Sequence, residues 1–317
     1  MKKLVSSIIC GLLSTLFKLR YKIKVEGLDK LNKENLNGPG GVLFLPNHSA
    51  VFIDPAMVSV SIWHKYPLRP MIVEYFYYTP IIHTLMTFIN AVPIPDFDRS
   101  SNSLKKKKSE EVVKKLITDL KQGDNFLVYP AGRTKSTAYE IIGGASAIHR
   151  ILQDAPDANI VLVRSKGLWG SSFSRIKKGT PPSLFPTLYD NFKHVLKNLI
   201  FFTPKREVTM VFEPAPADFP RHGTRMEINR WLESWYNRPD GLSVQEGAYP
   251  GDSPVLVSYS MWGEELLQLD ERPKDGVDFD LNTISPDVKT KVIKEIARVT
   301  KMDPNAIKPE MAFDSDL

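Results

Sequence analysis

Short apolar runs of four to six residues recur along most of the chain and alternate with longer helical patterns. Helical spacing is clearest from Ser109 to Gln122, where apolar residues recur every three or four positions before Gly123 ends the pattern. Strands that alternate with helices favour an α/β domain, with a layered sheet flanked by helices. The predicted strands are residues 21–26, 41–45, 69–73, 91–94, 126–129, 159–163 and 208–212.

The N-terminal segment from Leu4 to Phe17 is the most apolar part of the chain. At about 14 residues it is shorter than the roughly 20 that a membrane-spanning helix needs. A signal peptide would fit the basic start, but no small-x-small cleavage site follows. Lys18 and Arg20 come next, so we predict a membrane-interface helix and its following strand over residues 1–25. A buried helix of a soluble domain is the alternative.

The composition changes after Trp262. The whole chain carries 42 Lys+Arg and 36 Asp+Glu, whereas about 13 acidic and 8 basic residues follow Trp262. The preceding body is therefore strongly basic, and the tail is acidic. We predict a main domain over 26–262, a linker over 263–284 and a helical fragment over 285–317, whose helix starts at Ser285 and Pro286. Because little follows this helix, we expect it to be part of a larger domain.

Several classes of protein are excluded by what the sequence lacks. Hydrophobic residues make up 42% and charged residues 25%, which is ordinary globular usage and excludes collagen-like, disordered and coiled-coil proteins. The single cysteine, Cys10, excludes a disulfide framework and a Cys-rich metal site, and it favours a reducing compartment. The phosphate-loop, dinucleotide-binding and nucleophile-elbow motifs are absent. The basic run from Lys105 to Lys108 has no interleaved aromatic residues, so we expect no nucleic-acid partner.

His48 and Asp54 directly follow the predicted strand over residues 41–45. A carboxylate that orients an imidazole, while the other ring nitrogen accepts a hydroxyl proton, is a common arrangement for general-base catalysis. Two other interpretations remain open at this point. Asp54 suits the cap of a helix that begins at Pro55, and His48 suits a hydrogen-bonded core position.

A second polar turn follows the strand over residues 126–129. The sequence from Pro130 to Thr134 presents Gly132, which allows close backbone approach, beside Arg133, a bidentate donor. Such a turn suits a phosphate or phosphodiester group. A surface loop with an incidental arginine is the alternative.

The two elements together resemble the glycerolipid acyltransferase family, which includes lysophosphatidate and lysophospholipid acyltransferases. Its motifs read N-H-x-x-x-x-D and F-P-E-G-[TR], and the resemblance covers roughly residues 10–240. The resemblance implies that His48 is the general base, that Asp54 orients it, and that the acceptor attacks an acyl thioester without an acyl-enzyme. It also implies substrate binding by the residues of the polar turn and of a loosely matching second motif, namely Gly132, Arg133, Thr134 and Arg99.

Three departures from the family pattern are evident. Five residues separate His48 from Asp54 where the family has four, and Ala131 occupies the position of the family's motif glutamate. The second motif matches only loosely over residues 90–99, which displaces Arg99. These departures leave open a catalytically inactive lipid- or carrier-binding module.

The tail resembles the first helix and loop of an acyl carrier protein, on the patterns over residues 287–293, 302–309 and 313–317. The two resemblances together imply transfer of a fatty acyl group from an acyl carrier protein, or from CoA, onto a lysophospholipid or other glycerolipid. The implied partners are membrane glycerolipids and an acyl carrier protein, which the full-length chain itself would include. We expect no bound cofactor and no metal. The expected location is the cytoplasmic face of a membrane, peripheral or monotopic.

Overall fold

The computed structural model describes residues 2–80, 82–95, 103–239, 251–269, 286–300 and 303–307. The chain divides into two compact units, Met1–Asp270 and Glu271–Leu317. The division falls within the segment predicted as a linker. Each unit is described separately below.

The first unit is built on a seven-stranded sheet with the order β1-β7-β6-β2-β5-β3-β4. All neighbouring strands are parallel except β6 and β7, which are antiparallel. Every predicted strand is confirmed, with ends that shift by a few residues, and the α/β class is confirmed with them. The strands are β1 Tyr21–Glu26, β2 Val42–Pro46, β3 Leu68–Val73, β4 Val92–Ile94, β5 Asn125–Leu127, β6 Asn159–Lys166 and β7 Arg206–Pro214.

Eight helices of this unit lie among the described residues. The helix predicted from the apolar repeat over residues 109–122 is confirmed, but it begins earlier, because α5 starts at Ser103. Lysine is a good helix former, so the run Lys105–Lys108 continues the helix ahead of its apolar repeats. The helices are α1 Lys2–Arg20, α2 Ile53–Ile62, α3 Glu74–Tyr77, α4 Ile82–Phe88, α5 Ser103–Lys121, α6 Ala147–Asp154, α7 Leu184–Lys197 and α8 Arg225–Asn237.

Strand β2 is buried throughout and divides the hydrophobic core into two layers. Leu43 and Leu45 pack on one face of the sheet with apolar residues of α5, α6 and α8. Val42 and Phe44 pack on the other face with residues of α1 and α2. Successive side chains of a strand point to opposite faces, so the unbroken apolar run is explained by helices on both sides.

Helix α1 confirms the predicted N-terminal apolar helix. Cys10 and Phe17 are buried on one side, whereas Val5, Ile8, Leu12 and Leu16 are exposed on the other. None of the helices in the described part of the chain is both long enough and apolar enough to cross a bilayer. A role for α1 at a membrane interface stays a prediction.

The second unit contains helix α9, Pro286–Thr300, and a 3-10 turn, Pro304–Ala306. The helix predicted from Pro286 is confirmed, whereas its expected cap Ser285 lies outside the described residues. Val288 and Val292 are exposed, and Ala297 is buried. The segment from residue 308 to 317, on which much of the carrier-protein resemblance rests, also lies outside the described residues.

Candidate active site

The two polar loops meet at one edge of the sheet. β2 and β5 are parallel neighbours, and β6 lies parallel to β2 on its other side. The carboxyl ends of adjacent parallel strands lie together, which is where open α/β sheets bind their ligands. Asn47 fixes this edge, because its buried side-chain amide accepts from the Ser165 backbone N–H at 2.7 Å and donates to the Ser165 carbonyl at 3.1 Å.

His48 and Asp54 are brought together. Nδ1 of His48 lies 3.5 Å from Oδ2 of Asp54, whose side chain is 0% exposed. The same Oδ2 accepts the Ser49 backbone N–H at 3.3 Å. The His48 side chain keeps 14% exposure, and its ring stacks on Tyr129 with centroids 3.9 Å apart. The imidazole is therefore held between a buried carboxylate and an aromatic ring, with part of it open to solvent.

The additional residue between His48 and Asp54 is absorbed in a γ-turn. Ile53 N–H donates to the Val51 carbonyl at 2.6 Å, around Phe52 with φ 60° and ψ −56°. This conformation is strained for a residue with a side chain, and such strain concentrates at functional sites. Helix α2 begins at Ile53, so the interpretation of Asp54 as the cap of a helix starting at Pro55 was wrong. Asp54 instead lies in the first turn, directed back to the His48 loop.

The loop after β5 folds back onto the His48 loop. Lys135 N–H donates to the His48 carbonyl at 2.8 Å. The buried Lys135 ammonium pairs with Asp252 at 2.6 Å and lies 5.2 Å from the centre of the Trp169 ring. These contacts hold the end of the predicted phosphate-binding turn against the backbone of the His48 loop.

The predicted substrate-binding residues differ in their surroundings. Arg133 is exposed, and Gly132 has a φ of +65° with open space where a side chain would be. Thr134 is buried, and its hydroxyl accepts from Arg175 Nε at 2.6 Å. This bond gives Thr134 a role in placing Arg175, and its contact with substrate stays a prediction. Arg99 lies outside the described residues.

A buried carboxylate, Glu140, lies under the His48 loop and was missed by the sequence analysis. Its Oε2 accepts the His48 backbone N–H at 3.0 Å. Burial raises the pKa of the Glu140 carboxyl to about 8; the His48 backbone bond and Lys135 oppose this shift, and Asp54 adds to it. Burial also raises the pKa of the Tyr129 hydroxyl well above its ordinary value, with Asp54 as the next cause. Glu140 occurs in a loop without periodicity, so only the fold reveals its position.

Among the described residues, three buried polar atoms of the site have no hydrogen-bond partner: Nδ1 of His48, Oδ1 of Asp54 and the Tyr129 hydroxyl. Buried polar groups are normally paired, and exceptions concentrate where a ligand or a reacting group completes the network. A 3.5 Å separation between Nδ1 and the carboxylate is long for a hydrogen bond, but such contacts often tighten only once substrate is bound. The arrangement can orient an imidazole and stabilise its positive charge.

Comparison with known proteins finds one family model and one solved structure that are similar to this chain. Residues 22–166 match the family model described as acyltransferase. The crystal structure of the 1-acyl-sn-glycerophosphate (LPA) acyltransferase PlsC from Thermotoga maritima is similar over 74% of this chain and 78% of that chain, with a TM-score of 0.46 and 17% sequence identity. No curated protein sequence matches the chain. The region that matches the family model contains His48, Asp54 and Arg133.

Proposed function

We propose that the protein transfers a fatty acyl group from a thioester, on an acyl carrier protein or CoA, to the free hydroxyl of a lysophospholipid or other glycerolipid. His48 accepts the proton of the acceptor hydroxyl, and the oxygen attacks the thioester carbonyl. The tetrahedral intermediate collapses as the carbon–sulfur bond breaks, and protonated His48 returns the proton to the leaving thiolate. An ester and a free thiol result, with no acyl-enzyme.

The observation that carries this proposal is the approach of Nδ1 of His48 to the fully buried Asp54 carboxylate. The carboxylate fixes the tautomer in which Nδ1 carries the proton, which leaves Nε2 as the base. The domain lacks a nucleophile elbow, so direct attack by the acceptor explains the residues present better than a covalent intermediate does.

Arg133 and Gly132 are proposed to hold the phosphate of the acceptor. Arg133 is exposed at the carboxyl edge of the sheet, and Lys135, two residues on, is bonded to the His48 carbonyl. A phosphate held there lies close to the imidazole, as an acceptor with a neighbouring hydroxyl requires. Such acceptors reside in membranes, so we place the protein on the cytoplasmic face, bound peripherally or monotopically.

A catalytically inactive lipid- or carrier-binding module is the second candidate. Ala131 in place of the motif glutamate and the additional residue before Asp54 favour it. It predicts binding of lysophospholipid or carrier protein without turnover.

The test is an acyl-transfer assay on the full chain with radiolabelled acyl-carrier-protein and acyl-CoA thioesters and a lysophospholipid acceptor. We expect turnover that His48→Ala abolishes, with unchanged circular dichroism. The exposed His64 provides a matched control, because His64→Ala removes an imidazole outside the site. Full activity of His48→Ala refutes the mechanism, and binding without turnover by the unaltered chain supports the inactive module.

A further inference from the structure

Helix α7 exposes its apolar side to solvent. Its Phe185, Leu188, Tyr189, Phe192 and Leu196 recur at helical spacing, and all are exposed. A helix on the surface of a soluble domain normally buries its apolar stripe. An exposed continuous apolar face of this kind marks an interaction surface.

The inward side of α7 is held by polar contacts. Asn191 donates to the Ser172 hydroxyl at 2.9 Å, and the His194 ring lies 4.7 Å from the Tyr259 ring. At the end of the helix the fully buried Asn198 donates to the Tyr259 carbonyl at 2.8 Å. These contacts fix the orientation of the helix, with its polar side against the domain and its apolar side directed to solvent.

The turn after α7 extends the same surface. Leu199 and Ile200 have positive φ angles of 51° and 67°, which are unfavourable for residues with side chains. They are followed by Phe201 and Phe202, which are 78% and 62% exposed. Trp262 is also exposed, and its indole N–H donates to the Lys197 carbonyl at the end of the helix. We call the apolar side of α7, this turn and Trp262 the aromatic surface.

The charge around the aromatic surface is positive. Five exposed lysines border it: Lys193 and Lys197, which pair with Asp190 and Glu265, and Lys177, Lys178 and Lys205. Aromatic and leucine side chains on one face, bordered by lysines, are typical of segments that lie in the interface of an anionic bilayer. An acidic protein partner would also suit these cations, but the strongly exposed Phe201 and Phe202 on the turn favour insertion into lipid.

The aromatic surface is joined to α1 and to the His48 loop. Arg20, at the end of α1, donates to the Pro204 carbonyl and lies over the Tyr259 ring, on which His194 of α7 also packs. The Ser172 that holds α7 precedes Phe173, whose carbonyl accepts the Val51 N–H at 2.9 Å. Hydrogen bonds through residues 172 and 173 therefore connect α7 to the loop that carries the imidazole.

We infer that the aromatic surface docks the protein on an anionic membrane, with Phe201 and Phe202 inserted among the lipids. The inference concerns binding alone and does not require acyl transfer. The aromatic surface would be a second membrane contact of the protein, besides the predicted interface helix α1.

The test is flotation of the full chain with vesicles of phosphatidylcholine, with and without phosphatidylglycerol. We expect binding to the anionic vesicles that the double variant Phe201→Ser, Phe202→Ser weakens at least about tenfold, since two aromatic side chains no longer leave water. Both positions are exposed, so the melting temperature should not change. Leu104, 77% exposed on α5 beside the Lys105–Lys108 run, provides the control: Leu104→Ser should bind as the unaltered chain does.

Three results overturn the inference: no binding by the unaltered chain, unaltered binding by the double variant, or equal loss in Leu104→Ser. Sedimentation of the protein without vesicles tests the alternative occupant of the aromatic surface, a second copy of the chain. A dimer that the double variant converts to a monomer assigns the surface to a second copy instead. His48→Ala is expected to float with the vesicles as the unaltered chain does. The membrane-docking inference and the proposed reaction can therefore be refuted independently.

Discussion

Glu140→Gln is expected to change how stability depends on pH. The Glu140 carboxyl has a pKa of about 8 in the folded protein, raised by burial from an ordinary 4.5. Between these values the folded protein keeps a proton that the unfolded chain has lost. Stability from this group is therefore fully present below about pH 4.5 and is lost as the pH rises to about 8.

The magnitude follows from the two pKa values. One pH unit corresponds to about 1.4 kcal/mol, so ionisation of the unfolded chain lowers the free energy of unfolding by about 3 kcal/mol between pH 4.5 and pH 7. Glutamine has the same shape, does not ionise, and retains an oxygen to accept the His48 N–H. Glu140→Gln should match the unaltered protein near pH 5 and exceed it in stability by about 3 kcal/mol near pH 7.

Urea unfolding at several pH values, followed by tryptophan fluorescence, measures this difference. All five tryptophans lie in the first unit, so the signal reports that unit. Glu111→Gln, at an exposed position of α5, is the matched control for loss of one carboxylate. The reasoning is refuted if the free energies of unfolding of Glu140→Gln and the unaltered protein change in parallel between pH 5 and pH 8. Parallel change would mean that Glu140 is ionised in the folded protein throughout this range.

Three further substitutions test the site. Asp54→Asn keeps the volume but removes the charge facing Nδ1, so kcat should fall about a hundredfold or more in steady-state assays; an unchanged kcat contradicts the orienting role. Arg133→Ala should raise KM for a phosphate-bearing acceptor about tenfold and leave KM for the thioester unchanged, and equal effects on both would refute phosphate binding. Asn47→Ala leaves the Ser165 N–H and carbonyl buried without their partner, so urea unfolding should show a loss of about 3 kcal/mol; a loss below about 1 kcal/mol would contradict a bracing role.

The strands were predictable because helices cover both faces of the sheet. Such strands have uninterrupted apolar runs, as over residues 41–45 and 159–163, and these stand out between polar turns. The apolar repeat of α5 lies inside the helix, so the repeat alone does not give the first residue of the helix. The lysines ahead of that repeat continue the helix without burying anything.

The position of His48 beside Asp54 could also be predicted, but the backbone turn and the buried carboxylate that hold the His48 loop in place could not. The γ-turn at Phe52 is a backbone conformation that no residue type there requires. Glu140 lies 92 residues from His48 in sequence, and only the folding of the loop after β5 brings its carboxylate to the His48 backbone. Long-range contacts made by loops leave no periodic trace in a sequence.

The position of β1 at the sheet edge has a consequence for biosynthesis. Its native partner is β7, and Tyr21 pairs with Arg206. At roughly 5–20 residues per second, the ribosome needs about 10–40 s to make the intervening chain. Until then β1 has no native neighbour in the sheet, and the nascent chain carries the apolar face of α1 outside a closed domain. Attachment of the predicted interface helix α1 to a bilayer during translation would therefore come before completion of the sheet.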